Sequence, residues 1–400
     1  MIVENRKARA HLDLVLISLV AVMCFFGVLA VAVATYSPDS TSGASLLNHI
    51  VESSYAMRQC LFLLIAPVII SVALAIPFDF FKRYTVHAYI FGNVLLLVTL
   101  VTNGAQGVKA WTDIVWGYTI QPSEFIKLAM ILMMARVLNR MERPLHALSD
   151  WLELGIVVGI PAIIVLASGE MGSLMVVVFI VAVMLFFAGV DWKYIFLLVG
   201  VATLAILAIY GYAVASGSDS YRLQRILAFF NPEDYASTDA YQQQQSMTCI
   251  GSGGLFGKGQ FVDGSWSQLN YVPADWTDFI FATIGEAYGF IGCCAVLGCY
   301  LAIILRMLYL AKYTRDRYGM LVIIGVMSML LFHVFENIAM TTGRMPITGI
   351  PLPFLSYGGS NMVTNIGGVA LVLMVTKNRS LTSSIQTPQR AGAVRYYAQR

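Results

Sequence analysis

Apolar residues along this chain come in long runs, each near the ~20 positions that carry a helix across a bilayer, separated by shorter polar breaks. Ten runs can be read, at 13–36, 60–77, 86–102, 122–139, 152–168, 171–189, 193–215, 279–308, 319–342 and 361–376. They are continuous and do not alternate with period two, which excludes a closed membrane barrel. The pattern predicts an all-α polytopic membrane protein with ten transmembrane helices in one domain, 13–376. A short tail, 1–12, precedes it, and a polar tail rich in Ser, Thr, Gln and Pro, 377–400, follows. The fifth and sixth runs almost touch through ASGEMGS, so that turn is tight. No fixed-period repeat is visible, so a repeat-built transporter has no support here.

Charge orients the pattern. Arg6, Lys7 and Arg9 precede the first run, and Lys82, Arg83, Arg140, Arg143, Lys193, Lys312, Arg315 and Arg317 fall in alternate loops on the same face. Lys377, Arg379, Arg390, Arg395 and Arg400 close the chain there. The opposite face holds Arg58, Lys109, Arg222, Arg225, Lys258 and Arg344. The positive-inside rule therefore makes both termini cytoplasmic. It also places the long connection between helices seven and eight, about 216–278, outside the cytoplasm. A connection that long is usually functional or disordered, and this one is not low-complexity. Within it, YRLQRILAFFNPEDY suits an amphipathic helix lying on the membrane.

Composition agrees. The chain of 400 residues is 58% hydrophobic and 12% charged, with mean hydropathy +0.74, too apolar for a soluble domain. No Lys/Arg cluster on a soluble face suggests nucleic acid. Of Cys24, Cys60, Cys249, Cys293, Cys294 and Cys299, only Cys249 lies in a long loop, and no metal-ligand spacing follows. The first apolar run is too long for the core of a cleaved signal.

Against so few charges, three carboxylates stand out in YVPADWTDFIFATIGEAYG, where loop becomes membrane helix: Asp275, Asp278 and Glu286. Asp275 or Thr277 can cap the helix and Asp278 can face its dipole; the alternative is catalysis. In QPSEFIK, Pro122 suits a first helical turn, and Glu124 and Lys127 are spaced to pair. They are either capping plus one ion pair or the polar wall of an outward cavity. Glu170 sits at the tight turn, and Arg344 lies in MTTGRMPITGIPLPFLSYGGSN, whose three prolines break the chain between the last two runs. Irregular backbone at that depth is either a structural re-entrant turn or a cavity lining. GSGGLFGKG fails the phosphate-loop pattern, because Ser252 stands where the first glycine belongs and Gly259 follows Lys258. It reads as a flexible turn, with Lys258 still able to meet an anion.

Four stretches together, QPSEFIKLA, IGSGGLFGKG, VPADWTDFIFATIGEAYGFIG and PITGIPLPFLSYGGSN, resemble the SEDS family (shape, elongation, division and sporulation) of bacterial cell-wall glycosyltransferases. They occur in the family's order over most of the chain, and the block around GSWSQLNYVPADWTDFIFA is closer to the RodA (elongation) branch than to the FtsW (division) branch. The chain departs from the family pattern at three places. Ala274 and Trp276 replace a Glu and a His before the TDF triplet, the tight turn reads Gly169-Glu170-Met171-Gly172-Ser173, and Arg344 replaces an apolar residue.

The resemblance implies a peptidoglycan glycosyltransferase of the bacterial cytoplasmic membrane. It would polymerise lipid II into glycan strands at the outer face for cell elongation and shape. It maps the essential aspartate to Asp278, the tryptophan of the first large outer loop to Trp111, and the cavity-lining motif to Gln121, Pro122, Ser123, Glu124 and Lys127. Further candidates for substrate contact are Lys109, Arg222, Lys258, Thr277, Ser356 and Tyr357. A carboxylate can accept a sugar hydroxyl proton, and the leaving diphosphate needs cations such as Arg222, Arg225, Lys109, Lys127 or Lys258, or a divalent ion, Mg or Mn. Expected partners are membrane lipids and a class B penicillin-binding protein packed on helices eight and nine. The rival readings are a lipid II flippase, an FtsW-type division polymerase and a non-catalytic scaffold. Ser123 and Lys127 are not a Ser-x-x-Lys pair, so transpeptidation is not this chain's own chemistry.

Overall fold

The computed structural model describes residues 12–36, 46–101, 110–113, 119–141, 144–215, 225, 227–229 and 239–377. Among these residues the regular structure is helical apart from one two-residue ribbon pair, β1 (Thr112–Asp113) and β2 (Thr119–Ile120), antiparallel with Thr112 opposite Ile120. The helices are α1 (Leu14–Ala34), α2 (Leu46–Glu52), α3 (Ser54–Ala75), α4 (Phe78–Val101), α5 (Pro122–Arg140), α6 (Leu148–Ser168), α7 (Met171–Phe187), α8 (Trp192–Ala215), α9 (Asp239–Ser252), α10 (Ile280–Tyr313), α11 (Arg317–Thr341) and α12 (Gly359–Lys377).

Among the described residues, 7 of these helices are long and apolar enough to cross a bilayer: α1, α3, α4, α6, α10, α11 and α12. α7 is a shorter apolar helix, and α5 is diluted by the charges it buries. Each predicted run coincides with a helix, but several helices begin earlier than the run. α3 starts at Ser54 and α4 at Phe78, because Arg58, Lys82 and Arg83 ride on their second turns. Long cationic side chains reach out of the apolar zone while their stems stay in it, so the helix outlasts the apolar run.

α11 and α12 form the centre: 83% of the apolar window of each is enclosed, against 11% for α3, which lies at the periphery. α11 packs on α5, α7 and α10, and α1 packs on α3 and α10. One end of the bundle gathers the basic residues. Arg317 donates to Met141 O (2.7 Å) and Ala188 O (3.1 Å), Lys82 pairs with Asp316 (2.7 Å), and Arg306 pairs with Asp13 (2.6 Å). Lys377 donates to Leu74 O at 2.8 Å, and Arg140 meets Glu153. These contacts tie helix ends across the bundle and use the last-turn carbonyls that a helix leaves unbonded.

The opposite end is irregular. α9 lies against the C-terminal end of α11, with Gln243 Nε2 donating to Met340 O (2.9 Å) and Met345 O (2.7 Å), and Ser246 Oγ to Thr341 O (2.9 Å). α10 is interrupted at Gly289, whose φ of 67° only a glycine adopts readily. The loop 251–259 fills the interruption. Lys258 N and Gly259 N donate to Glu286 O and Ala287 O (2.9 and 3.1 Å), while Phe290 N and Ile291 N donate to Gly254 O and Leu255 O (2.9 and 3.2 Å). GSGGLFGKG is therefore not the flexible turn expected of its composition. Its glycines permit close backbone approach, and it completes the hydrogen bonding of a broken helix, which an apolar surround demands. The amphipathic stretch expected around 221–235 lies mostly outside the described residues.

Candidate active site

The TDF stretch reaches α10 through a series of turns over 273–279, with Ala274 at φ 59°. Phe279 is the N-cap of α10, and no side chain caps the helix. The capping role open to Asp275 or Thr277 is thus taken by neither. Thr277 Oγ1 instead donates to Ala274 O within the turn, at 3.1 Å. The carbonyls of three consecutive residues are held from outside the turn. Tyr357 N donates to Trp276 O (2.9 Å), Ser356 Oγ to Thr277 O (2.6 Å) and Asn337 Nδ2 to Asp278 O (2.7 Å).

The Asp278 side chain is half-buried and faces Gly349, in the Pro/Gly segment between α11 and α12. Gly349 has φ 74°, and a Cβ there would lie 3.4 Å from Asp278 Oδ2 and 3.8 Å from Arg225 Nη1. A glycine at this point therefore leaves room beside both the carboxylate and the guanidinium. Arg225 is fixed by donating to Ile347 O at 3.3 Å. Burial pushes the Asp278 carboxyl up to about 6, and the Arg225 charge opposes that rise. The result is a carboxylate ionised near neutrality yet basic enough to accept a proton.

A second polar group lies at the same end. Glu170 Oε2 accepts from Gln121 Nε2 (2.9 Å), Ser123 Oγ (2.5 Å) and Ser173 Oγ (2.8 Å). Gln121 N donates to Ser360 Oγ (3.1 Å), which joins α5, the α6–α7 turn and α12. Burial raises the Glu170 carboxyl, and these hydrogen bonds oppose it. Deeper, Lys127 Nζ pairs with Glu124 Oε1 at 2.7 Å, as their spacing predicts, and also lies 2.9 Å from His333 Nε2 on α11. Lys127 is 1% exposed, so its charge is committed to the bundle interior.

Glu286, inside α10, anchors the neighbouring loop. Its Oε1 accepts from Lys258 Nζ (2.8 Å) and Trp266 N (2.8 Å), and its Oε2 from Ser267 N (3.1 Å) and Ser267 Oγ (3.2 Å). Lys258, whose side chain is 33% exposed, is thus held in an ion pair with Glu286. Asp275 is fully buried near Thr283 and Glu286, and burial raises its carboxyl well above the ordinary range. Among the described residues no three His, Cys, Asp or Glu side chains converge. A cation beside Asp278 would also meet the Arg225 guanidinium. The described residues by themselves do not make a resident site for Mg or Mn, and no step below runs through a metal.

Residues 13–381 match the family model FtsW/RodA/SpoVE, described as cell cycle protein. The chain belongs to this family. The Escherichia coli K12 peptidoglycan glycosyltransferase MrdB is 33% identical over 319 residues, covering 79% of this chain and 84% of MrdB. A probable peptidoglycan glycosyltransferase FtsW of Geobacter sp. M18 is 30% identical over 369 residues, 91% of this chain and 96% of the relative. Among solved structures, the chain is similar to one from work on the structural coordination of polymerization and crosslinking by a peptidoglycan synthase complex. That match has TM-score 0.75 and 25% identity and covers 92% of this chain and 98% of the other. It is also similar to the crystal structure of the Thermus thermophilus rod shape determining protein RodA (TM-score 0.67, 25% identity, 92% and 97% covered). This member of the family is an integral membrane protein with an all-helical fold.

Of the residues expected at the site, the fold brings Thr277, Asp278, Ser356 and Tyr357 together. It sets Gln121, Ser123, Glu124 and Lys127 in a separate, more buried polar group. Ser356, expected to contact substrate, is 1% exposed and its hydroxyl holds the Thr277 carbonyl. Trp111 is 48% exposed beside the ribbon pair. Lys109 and Arg222 lie outside the described residues. Sequence reading missed Asn337 and His333, which stand in an apolar run where nothing but helical periodicity marks the face they share.

Proposed function

We propose that the chain is a peptidoglycan glycosyltransferase that polymerises lipid II at the outer face of the bacterial cytoplasmic membrane, with Asp278 as general base. The observation that carries this reading is the half-buried Asp278 carboxylate beside Arg225, with Gly349 leaving space next to both. In the reaction an acceptor sugar hydroxyl attacks the anomeric carbon of a lipid-linked sugar. The new C–O bond forms as the bond to the diphosphate oxygen breaks, and the bonding pair leaves with the diphosphate. Asp278 takes the hydroxyl proton, and Arg225 opposes the charge that grows on the leaving group.

The topology reading is ten spans with both termini cytoplasmic. The gathering of Arg and Lys contacts at one end and of the Asp278 site at the other supports it. An elongation role fits the RodA-like motifs. The partner is a class B penicillin-binding protein helix on the exposed apolar stripe of α10, where Phe290, Ile291, Leu297, Leu301 and Leu305 follow one another and a Cβ on Gly298 would meet nothing within 4 Å. The test is glycan formation from labelled lipid II by purified protein in detergent with its partner supplied. A flippase or scaffold makes no glycan there, since transport has no meaning without two compartments.

A further inference from the structure

We propose that Asn337 and Ser356 are positioning residues that clamp the backbone under Asp278 and so aim its carboxylate; this deepens the reading above and rests on Asp278 being the general base. Asn337 is 0% exposed on α11. Its amide nitrogen uses both hydrogens, donating to Asp278 O at 2.7 Å and to Ile350 O at 2.8 Å. One amide therefore fixes both walls of the site: the turn that carries Asp278, and the segment that sets Gly349 opposite it. Ser356, 1% exposed, repeats the arrangement one residue earlier. Its Oγ donates to Thr277 O at 2.6 Å and accepts from Leu352 N at 2.7 Å. Gln59 Nε2, from α3, holds Ser356 O at 3.1 Å.

These side chains replace a helix cap. Phe279, the N-cap, makes no side-chain bond, so capping does not orient the residues before α10. The carbonyls of Thr277 and Asp278 are oriented by Ser356 and Asn337 instead. The carboxylate oxygens stand about 3 Å from their Cα, so a backbone rotation of about 20° would move them about 1 Å, enough to cost roughly 100-fold in rate. Neither Asn337 nor Ser356 is exposed enough to touch a lipid-linked sugar, so their effect must pass through Asp278.

The experiment measures glycan formation from labelled lipid II, with the partner supplied, for Ser356→Ala, Ser356→Thr, Asn337→Leu and Asp278→Asn, recording thermal stability and the pH profile of kcat. Removing the clamp should lower kcat about 10-fold in Ser356→Ala and about 30-fold or more in Asn337→Leu, with KM within about twofold. The acid limb of kcat should move, because a reoriented carboxylate changes both the burial that raises its pKa and the distance to Arg225, whose charge lowers it. Ser356→Thr keeps the hydroxyl and should recover to within about threefold of normal. Should Asn337→Leu fail to fold, Ser356→Ala decides alone. The clamp is refuted if kcat stays above half of normal, or if activity falls only in step with folded protein while the acid limb stays in place. An inactive Asp278→Asn beside unaffected clamp variants would sink the clamp alone; an active Asp278→Asn would sink the general base and the clamp with it.

Discussion

Replacing Asp278 by Asn should move activity and stability in opposite directions. The amide keeps the size of the carboxylate and removes the proton acceptor, so the rate of glycan formation should fall about 10²–10⁴-fold. Burial raises the Asp278 carboxyl from 3.8 to about 6. A raised folded pKa means that the carboxyl stabilises the fold in its protonated form, below about 4, and that this contribution is lost as pH rises through about 6. At pH 8 the ionised group therefore costs the fold on the order of 1–3 kcal/mol, allowing for partial solvent access. Asn carries no such cost. No cap is lost, since Phe279 occupies that position without a side-chain bond. The melting temperature in detergent should thus rise by roughly 2–6 °C at pH 8, and the gain should shrink toward pH 4. The assays are labelled lipid II turnover and thermal unfolding across that pH range. A variant that keeps more than about a tenth of the normal rate, or that is less stable than wild type at pH 8, would refute the placement of a desolvated general base here.

For the wild type, kcat should rise with pH through about 6 as Asp278 ionises, and Arg225→Gln should shift that limb upward as well as slow turnover, read from pH–rate profiles. Gly349→Ala puts a methyl 3.4 Å from Asp278 Oδ2 at φ 74°, costing about 1–2 kcal/mol in backbone strain and taking up space beside the carboxylate; steady-state kinetics should show a raised KM. Glu286→Gln removes the buried charge that pairs with the partly exposed Lys258 and should cost about 1–3 kcal/mol, seen as earlier unfolding and easier proteolysis at the 251–267 loop. Cysteines placed singly at Asn270 and Arg315 in a cysteine-free chain should label oppositely with an impermeant thiol reagent, Asn270 from outside, and the reverse pattern would overturn the orientation.

The sequence alone determined the helical membrane architecture, because an apolar run long enough to cross a bilayer can satisfy its backbone only as a helix. It also marked Asp278, since a carboxylate at the loop-to-helix join of so apolar a chain is conspicuous. The Glu124–Lys127 pair was legible because three positions on a helix are one neighbour apart. Tertiary structure decided what each polar residue does. Lys258 was taken up by Glu286, 28 positions away, and Ser356 turned inward onto Thr277 O, 79 positions away. Asn337 reached the Asp278 carbonyl from a helix whose pattern gave no sign of it. The physical reason is that periodicity reports which face of a helix is apolar, while the partner of a buried polar group depends on which chain segment packs against that face.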